Sequence, residues 1–470
     1  MSHIIDELLK LADAGCMSDW YESRIVRRHP TNPADRPNWR EGIQKFLKAT
    51  MDEVRLQRAS ELARDTLRLP AFDEVIPFRV AVLRREAGAD ISYDKQRDHS
   101  AHTIYNWLLG WLFYQHSDSL RQAMNEATEA RGLCEGGLGR TPVDAFGDVW
   151  TYASILHDIG YLFEGGIGRL AWETHHETAK RGALVVNDFF NNRIWHEWGI
   201  HAAADRQLIR NCDYEFLTLP TDGSLGGIID GLQKMGGLDP LLEDVGKVVP
   251  NLPTLSGKYV TAFELWAAHY EHLGKKEMVK YVGDTQQAFA DLAYNGLKTA
   301  GVRVIDHGVA GGLLLLQLIT MYYGARSALS RSSAKLSSAG SASFMGSAGG
   351  VDYNPAFWWG GILWGTFATA VHNVQQAMPQ EKLKLEDDPM AYLGILVDIL
   401  QEWDRYAVQR GAVLAHEPAL QGVDVPATIA AKGVLTVKLP EKRCEKAIED
   451  LDKALERWDR LLALEPSKDR

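Results

Sequence analysis

Apolar residues recur along most of this chain at spacings of three and four, which is typical of helices that bury one face. Residues 1–90 show this spacing in Leu8, Leu9 and Leu11, and again between Ile43 and Met51, with several prolines between the two runs. We therefore expect a helical N-terminal region that serves as scaffold. No pattern of catalytic residue types accompanies it.

Two later stretches are apolar enough to resemble membrane spans. Residues 308–323 and 356–371 are each 16 residues long, which is shorter than the roughly 20 residues that cross a bilayer. The first contains Gln317, and His307 and His372 bound the two stretches. We interpret both as helices buried on all sides within a large helical core.

The remaining segments divide the chain. Residues 117–146 are polar and glycine-rich, which predicts a loop, and 325–350 are a Ser/Ala/Gly stretch that predicts a flexible loop. Two short β-like runs around Ala431–Gly433 predict a hairpin, followed by an amphipathic helix over about 441–464. The overall prediction is an all-α fold with a small C-terminal hairpin, divided at 1–90, 91–166, 167–300, 301–412 and 413–470.

Region 167–300 reads as a mainly helical insertion. Helical patterns run from about Leu170 to Ile209 and from about Lys258 to Leu297, and the connector between them, 211–257, has little periodicity. We expect the insertion to shape access to a site formed by the regions on either side of it.

Composition narrows the functional classes. The net charge is -11, which argues against a general nucleic-acid binder, since such proteins usually carry a basic face. The four cysteines are far apart and form no CxxC pair, which favours a reducing, intracellular compartment over a disulfide framework. The N-terminus lacks the basic segment of a signal peptide, so we predict a cytoplasmic protein without membrane association.

Candidate chemistry lies where polar residues interrupt apolar helices. An aspartate among leucines and isoleucines is costly to bury unless a cation or firm hydrogen bonds compensate it. Imidazole and carboxylate groups are also common metal ligands. The residues in such positions are His102, His157, Asp158, His307, His372 and Asp398.

Some polar residues in these regions also have a purely structural explanation. Asp398 could pair with a nearby arginine, and Gln401 and Arg405 share its helical face. Further histidines lie in the insertion, where exposed polar helix faces explain all six of them. They are weaker ligand candidates: His175, His176, His196, His201, His269 and His272.

Five motifs in order carry a family resemblance: RDHSAHTIYNWLLG, LHDIGYLFE, DHGVAGGLLLL, AVHNVQQ and DDPMAYLGILVDILQEWDR. Together they resemble the HD-domain superfamily of metal-dependent phosphohydrolases, an all-helical fold named for its adjacent His-Asp pair. The resemblance covers roughly residues 91–166 and 301–406. It implies a divalent metal bound by His102, His157, Asp158 and Asp398, and a second bound by His307 and His372, with Asp158 bridging.

The implied activity is hydrolysis of a nucleotide phosphate ester by a metal-activated water, with Mn, Fe, Ni, Co, Mg or Zn as the ion. Arg97 and Arg405 are candidates for binding the phosphate. The chain departs from two branches of the superfamily. Tyr161 replaces the lysine of the cyclic-dinucleotide phosphodiesterases, and the extra histidines of the dNTP triphosphohydrolases are missing. Two rival hypotheses remain, a di-iron oxygenase on the same fold and a catalytically silent nucleotide-sensing module.

Overall fold

The structure is a computed structural model of the 470-residue chain. It describes residues 2–28, 38–49, 52–68, 99–134, 140–162, 239–249, 252, 262–300, 306–331, 354–373, 381–401, 426–430 and 433–467. All structural statements below concern these residues.

Helices account for most of the described chain. The first seven are α1 (Ile4–Leu11), α2 (Cys16–Arg28), α3 (Trp39–Leu47), α4 (Asp52–Arg68), α5 (His99–His116), α6 (Asp118–Ala130) and α7 (Pro142–Ile155). A 3-10 turn, His157–Leu162, follows α7. The later helices are α8 (Asp239–Val248), α9 (Ala262–His272), α10 (Lys276–Ala300), α11 (His307–Arg331), α12 (Leu363–Val371), α13 (Pro389–Leu400) and α14 (Glu441–Ala454).

A small sheet accompanies the helices. Its strands are β1 (Ser2–His3), β2 (Pro426–Ile429), β3 (Leu435–Pro440) and β4 (Leu462–Ser467), in that spatial order. β2 and β3 are antiparallel, with Ala427 opposite Val437, and β4 runs parallel to β3. The predicted all-α fold with a small C-terminal hairpin is therefore confirmed.

Four details differ from the sequence predictions. The expected loop at 117–146 contains helix α6, whose buried Leu120, Met124 and Ala127 follow helical spacing. The expected connector at 211–257 contains α8. The predicted C-terminal helix ends at Ala454 rather than near 464, because the chain turns into β4. Finally, α11 continues to Arg331, seven residues into the expected Ser/Ala/Gly loop.

The described residues form two compact units. Unit 1 comprises Met1–Ala130, Cys134–Asp158 and Pro379–Arg470, and unit 2 comprises Arg131–Leu133 and Ile159–Met378. Aromatic side chains fill the core of unit 1. The rings of Trp20 and Trp111 lie 5.6 Å apart and those of Trp39 and Trp107 also 5.6 Å apart. This packing holds α2 and α3 against α5.

In unit 2 the close approach of α11 to α12 depends on glycine. A Cβ atom at Gly312 would lie 2.6 Å from the carbonyl oxygen of Thr366 and 2.6 Å from the Cβ of Ala370. A similar limit applies at Gly160 in the 3-10 turn, where a Cβ would lie 1.7 Å from the carbonyl oxygen of His307. Small residues therefore set the backbone separation at both places.

The helix that precedes α12 contains a wider turn. Residues Trp358–Ile362 form a π-helical turn, which continues directly into α12. Both segments are buried throughout. Across the described ranges, we find no helix that combines the length and the apolar character needed to span a bilayer, α11 included.

Candidate metal centre

Helix α7 leads into the turn that contains the central histidine and aspartate of unit 1. A capping box begins it, since the side chain of Thr141 accepts a hydrogen bond from the Asp144 amide and the Asp144 carboxylate accepts one from the Thr141 amide. Pro142 occupies the first turn, where its fixed φ suits a helix start. The helix ends at Ile155, and the tight 3-10 turn then places His157 and Asp158 within the core.

Four of the predicted ligands converge in unit 1. The Nε2 atom of His102 lies 2.6 Å from Oδ1 of Asp398 and 3.8 Å from Oδ2 of Asp158. Nε2 of His157 lies 3.3 Å from Oδ1 of Asp158 and 3.4 Å from Oδ1 of Asp398. Sequence positions 102, 157, 158 and 398 are thus adjacent in space, and each contributes an atom of the type that binds divalent ions.

The burial of these groups is unequal. The side chains of His102, His157 and Asp158 are at most 5% exposed, whereas Asp398 is 20% exposed. Asp398 was expected to be buried, and it is only partly so. Asp398 therefore forms the solvent-accessible side of the cluster.

Hydrogen bonds orient both imidazoles. Nδ1 of His157 donates to the carbonyl oxygen of Ser154 at 2.6 Å, and Nδ1 of His102 donates to Oε1 of Gln401. A neutral imidazole has one proton, so each bond leaves a lone pair on Nε2, the atom that faces the carboxylates. Metal-binding histidines are usually fixed by such a second hydrogen bond.

This arrangement fits a cation. The two Nε2 atoms lie only 3.3 Å apart, and two lone pairs at that distance repel each other unless a proton or a metal ion lies between them. Three of the atoms, one each from His102, His157 and Asp158, lie within 4.8 Å of one another. These buried histidine and aspartate side chains can therefore bind a metal ion.

Asn106 belongs to the same cluster and was missed in the sequence. Its Nδ2 atom lies 3.1 Å from Nε2 of His102, 3.4 Å from Nε2 of His157 and 3.3 Å from Oδ1 of Asp398. Asn106 follows His102 by four residues in α5, so the helical period places both on one face. That spacing was the available signal.

Unit 2 contains a second pair of the predicted ligands. Nε2 of His307 lies 3.2 Å from Nε2 of His372, and Nδ1 of His372 donates to the carbonyl oxygen of Thr369 at 2.7 Å. Asp306 accepts hydrogen bonds from the amide of Val309 and, at 2.7 Å, from Nδ2 of Asn373. Asp306 therefore caps α11 and stabilises the turn after α12.

His269, a weaker candidate, lies in a different environment. It is buried in unit 2 against the rings of Tyr270 and Trp359, 5.3 and 5.6 Å away. Burial first, then the positive charge of Arg131 and the imidazole of His272, hold the pKa of His269 well below its usual value. It is a neutral ring packed among aromatic rings.

Several other candidates fall outside the described residues. They are Arg97, Arg405, His175, His176, His196 and His201. Their proposed roles stay predictions.

Known proteins do not extend this picture. No family model, no curated protein and no solved structure matches the chain.

Proposed function

We propose that this protein is a metal-dependent phosphohydrolase that cleaves a phosphate ester of a nucleotide. The observation that supports the proposal is the convergence of His102, His157, Asp158 and Asp398, with both imidazoles turned so that Nε2 faces the carboxylates. The order of the five motifs, which resembles the HD-domain superfamily, supplies the reaction class.

The chain's own groups have distinct roles in this proposal. Ser154 and Gln401 fix the two rings, so that the site is organised before substrate binds. Asp158 and Asp398 bring negative charge that favours a divalent ion. Such an ion, when bound, supplies Lewis acidity that lowers the pKa of water and offsets charge developing on the phosphate.

We propose His307 and His372 as ligands of a second ion, again from the family resemblance. Their contact in unit 2 is consistent with this role, because one Nε2 faces the other and Nδ1 of His372 is bonded to Thr369. The mixture of imidazole and carboxylate ligands suits Mn, Fe, Co, Ni or Zn.

The central experiment measures metal content and turnover on the same samples. Purified protein is analysed for bound metals and then assayed for phosphate release and cyclic-nucleotide hydrolysis with Mn²⁺, Mg²⁺, Co²⁺ and Ni²⁺. We expect the wild type to bind metal and to hydrolyse at least one nucleotide. Asp158→Ala should lose both metal binding and hydrolysis, because it removes the carboxylate that contacts both unit 1 imidazoles.

Asp118→Asn is the matched control, since Asp118 is 85% exposed and pairs with Arg121 on the surface of the same unit. It should behave as the wild type. Full activity in Asp158→Ala would refute the assignment. Bound iron with O2 consumption and no phosphate release would instead establish the oxygenase, and nucleotide binding without turnover under every metal would establish the sensing module.

A further inference from the structure

We infer that Asn106 is an additional metal ligand, binding the ion of the unit 1 cluster through its side-chain carbonyl oxygen. The inference rests on the proposed metal-dependent function and adds a neutral oxygen ligand to the histidine and aspartate set. Neither the family resemblance nor the sequence pattern assigned Asn106 a role.

The first argument is position. Asn106 lies one helical turn after His102 and is 1% exposed. Three atoms converge on its carboxamide nitrogen at 3.1–3.4 Å, namely Nε2 of His102, Nε2 of His157 and Oδ1 of Asp398. All three are candidate metal ligands, so the end of this side chain lies at the centre of the set.

The second argument is the other half of the carboxamide. Oδ1 of Asn106 is buried and lacks a hydrogen-bond partner. A buried carbonyl oxygen without a partner is unfavourable, because it has lost its hydrogen bonds to water and gained none within the protein. A half-turn about the last side-chain bond exchanges oxygen and nitrogen, and then the oxygen faces the same convergence point. A cation there would contact this oxygen together with Nε2 of His102, Nε2 of His157 and Oδ1 of Asp398, while the amide nitrogen takes the position that the oxygen leaves.

The third argument is ligand chemistry and charge. Carboxamide oxygens are ordinary ligands for hard divalent ions. Asp158 and Asp398 already bring two negative charges, which balance one divalent ion, so a neutral third oxygen donor completes the ligand set without excess charge. By contrast, an aspartate at 106 would add a third carboxylate to a buried cluster, which is costly without a metal.

The test uses two substitutions in the full-length protein and measures metal affinity directly. Chelator-treated wild type, Asn106→Leu and Asn106→Asp are titrated with Mn²⁺ by calorimetry and by electron paramagnetic resonance. Leucine has nearly the shape of asparagine but no oxygen, so we expect Mn²⁺ affinity to fall by more than about tenfold. Asn106→Asp should bind Mn²⁺ at least as tightly as the wild type and should unfold at a lower temperature in chelator.

Thr151→Val is the matched control. Thr151 is a buried residue of α7. Its hydroxyl accepts a hydrogen bond from Nε1 of Trp107 on α5 at 3.3 Å. Its loss should lower thermal stability slightly and leave Mn²⁺ affinity unchanged. If Asn106→Leu acted only by disturbing the packing of α5 against α7, Thr151→Val should lower Mn²⁺ affinity as well.

The outcomes separate this inference from the proposed function. Mn²⁺ binding by Asn106→Leu that equals or exceeds that of the wild type overturns the ligand role and leaves the metal site intact. A wild type that binds none of the metals overturns the proposed function itself. If the leucine variant does not fold, the visible absorption of Co²⁺ decides the question. A ligand change from carboxamide to carboxylate in Asn106→Asp must alter that spectrum, and an identical spectrum overturns the inference.

Discussion

Polar groups are buried in contrasting ways in the middle of α7 and in the turn that follows it. In the middle of the helix, Oδ1 of Asp148 accepts hydrogen bonds from Nε of Arg24 at 2.7 Å and from Nε1 of Trp20 at 3.0 Å. Arg24 also approaches Asp144, at 3.7 Å. Just beyond its end, the carboxylates of Asp158 and Asp398 contact imidazole nitrogens instead.

The difference separates a structural network from a binding site. An arginine has a permanent charge and a fixed set of donors, so it neutralises a carboxylate within the protein itself. An imidazole held by a carbonyl at Nδ1 presents a lone pair at Nε2, and that lone pair adds to the negative charge of a carboxylate rather than offsetting it. Charge balance then favours a cation from solution. Helix α7 and the turn after it thus contribute to both arrangements.

The largest expected effect is on the free energy of unfolding, when the network of Arg24 and Asp148 is broken. Arg24→Met removes the nearer of two cations beside Asp148, since Arg140 also approaches Oδ2 of Asp148 at 3.6 Å. Breaking a buried pair in this way costs up to about 3–5 kcal/mol. Urea unfolding should show this loss, whereas metal affinity of the folded fraction should stay unchanged. If the variant were as stable as the wild type, this network would not be structural. Lys10→Met, at an exposed ion pair with Glu7, is the control and should cost little.

A smaller effect on stability is expected when a metal ion binds to the histidine and aspartate cluster. A ligand that binds only the folded protein stabilises it by about 2.7 kcal/mol at a concentration of one hundred times its dissociation constant. Mn²⁺ should therefore raise the unfolding temperature of the wild type, and a chelator should reverse the shift. Arg24→Met should gain the same free energy from Mn²⁺ as the wild type, while Asp158→Ala gains none. Equal gains in all three proteins would contradict the comparison.

The smallest expected effect concerns His269, a buried imidazole outside both arrangements. Its pKa is well below the usual 6.5, because burial and then the neighbouring Arg131 and His272 disfavour the charged ring. The unfolded chain binds this proton below about pH 6.5 and the folded protein does not, so stability falls as pH decreases from there, by at most about 1.4 kcal/mol per pH unit.

His269→Phe should remove this component without changing metal affinity. The measurement is the free energy of unfolding of both proteins, in chelator, between pH 7.5 and 5.5. If the free energies of unfolding of the two proteins changed in parallel with pH, the imidazole of His269 would not be the cause of the pH dependence.

The six ligand candidates were recognisable in the sequence because each interrupts an apolar helix or lies at its end. Helix period and burial cost therefore led to His102 and Asp398, which are 296 residues apart. Asp148 also interrupts an apolar helix, but nothing in the sequence links it to Arg24, which is 124 residues away. Charged residues in helices are common on surfaces, so only tertiary packing identifies their buried partners.

The missed elements have similar causes. Helix α6 is polar, and its buried side is formed partly by small residues such as Ala127. Strand β4 is short, follows an amphipathic helix and shows no regular alternation of buried and exposed residues, so its sequence carries no clear strand signal. Asn106 was overlooked because a neutral amide in an apolar helix carries no charge signal, although its spacing from His102 was sufficient to place it.

Gly160 shows how packing and chemistry differ as constraints. A methyl group there would collide with the carbonyl oxygen of His307, 1.7 Å away, and approach the amide nitrogen of Gly311 to 2.6 Å. In a saturation-mutagenesis screen scored by activity, every substitution at position 160 should read as inactivating, and its tolerance profile would match that of Asp158. A parallel screen scored by protein abundance separates them, because only the glycine variants lose the protein itself.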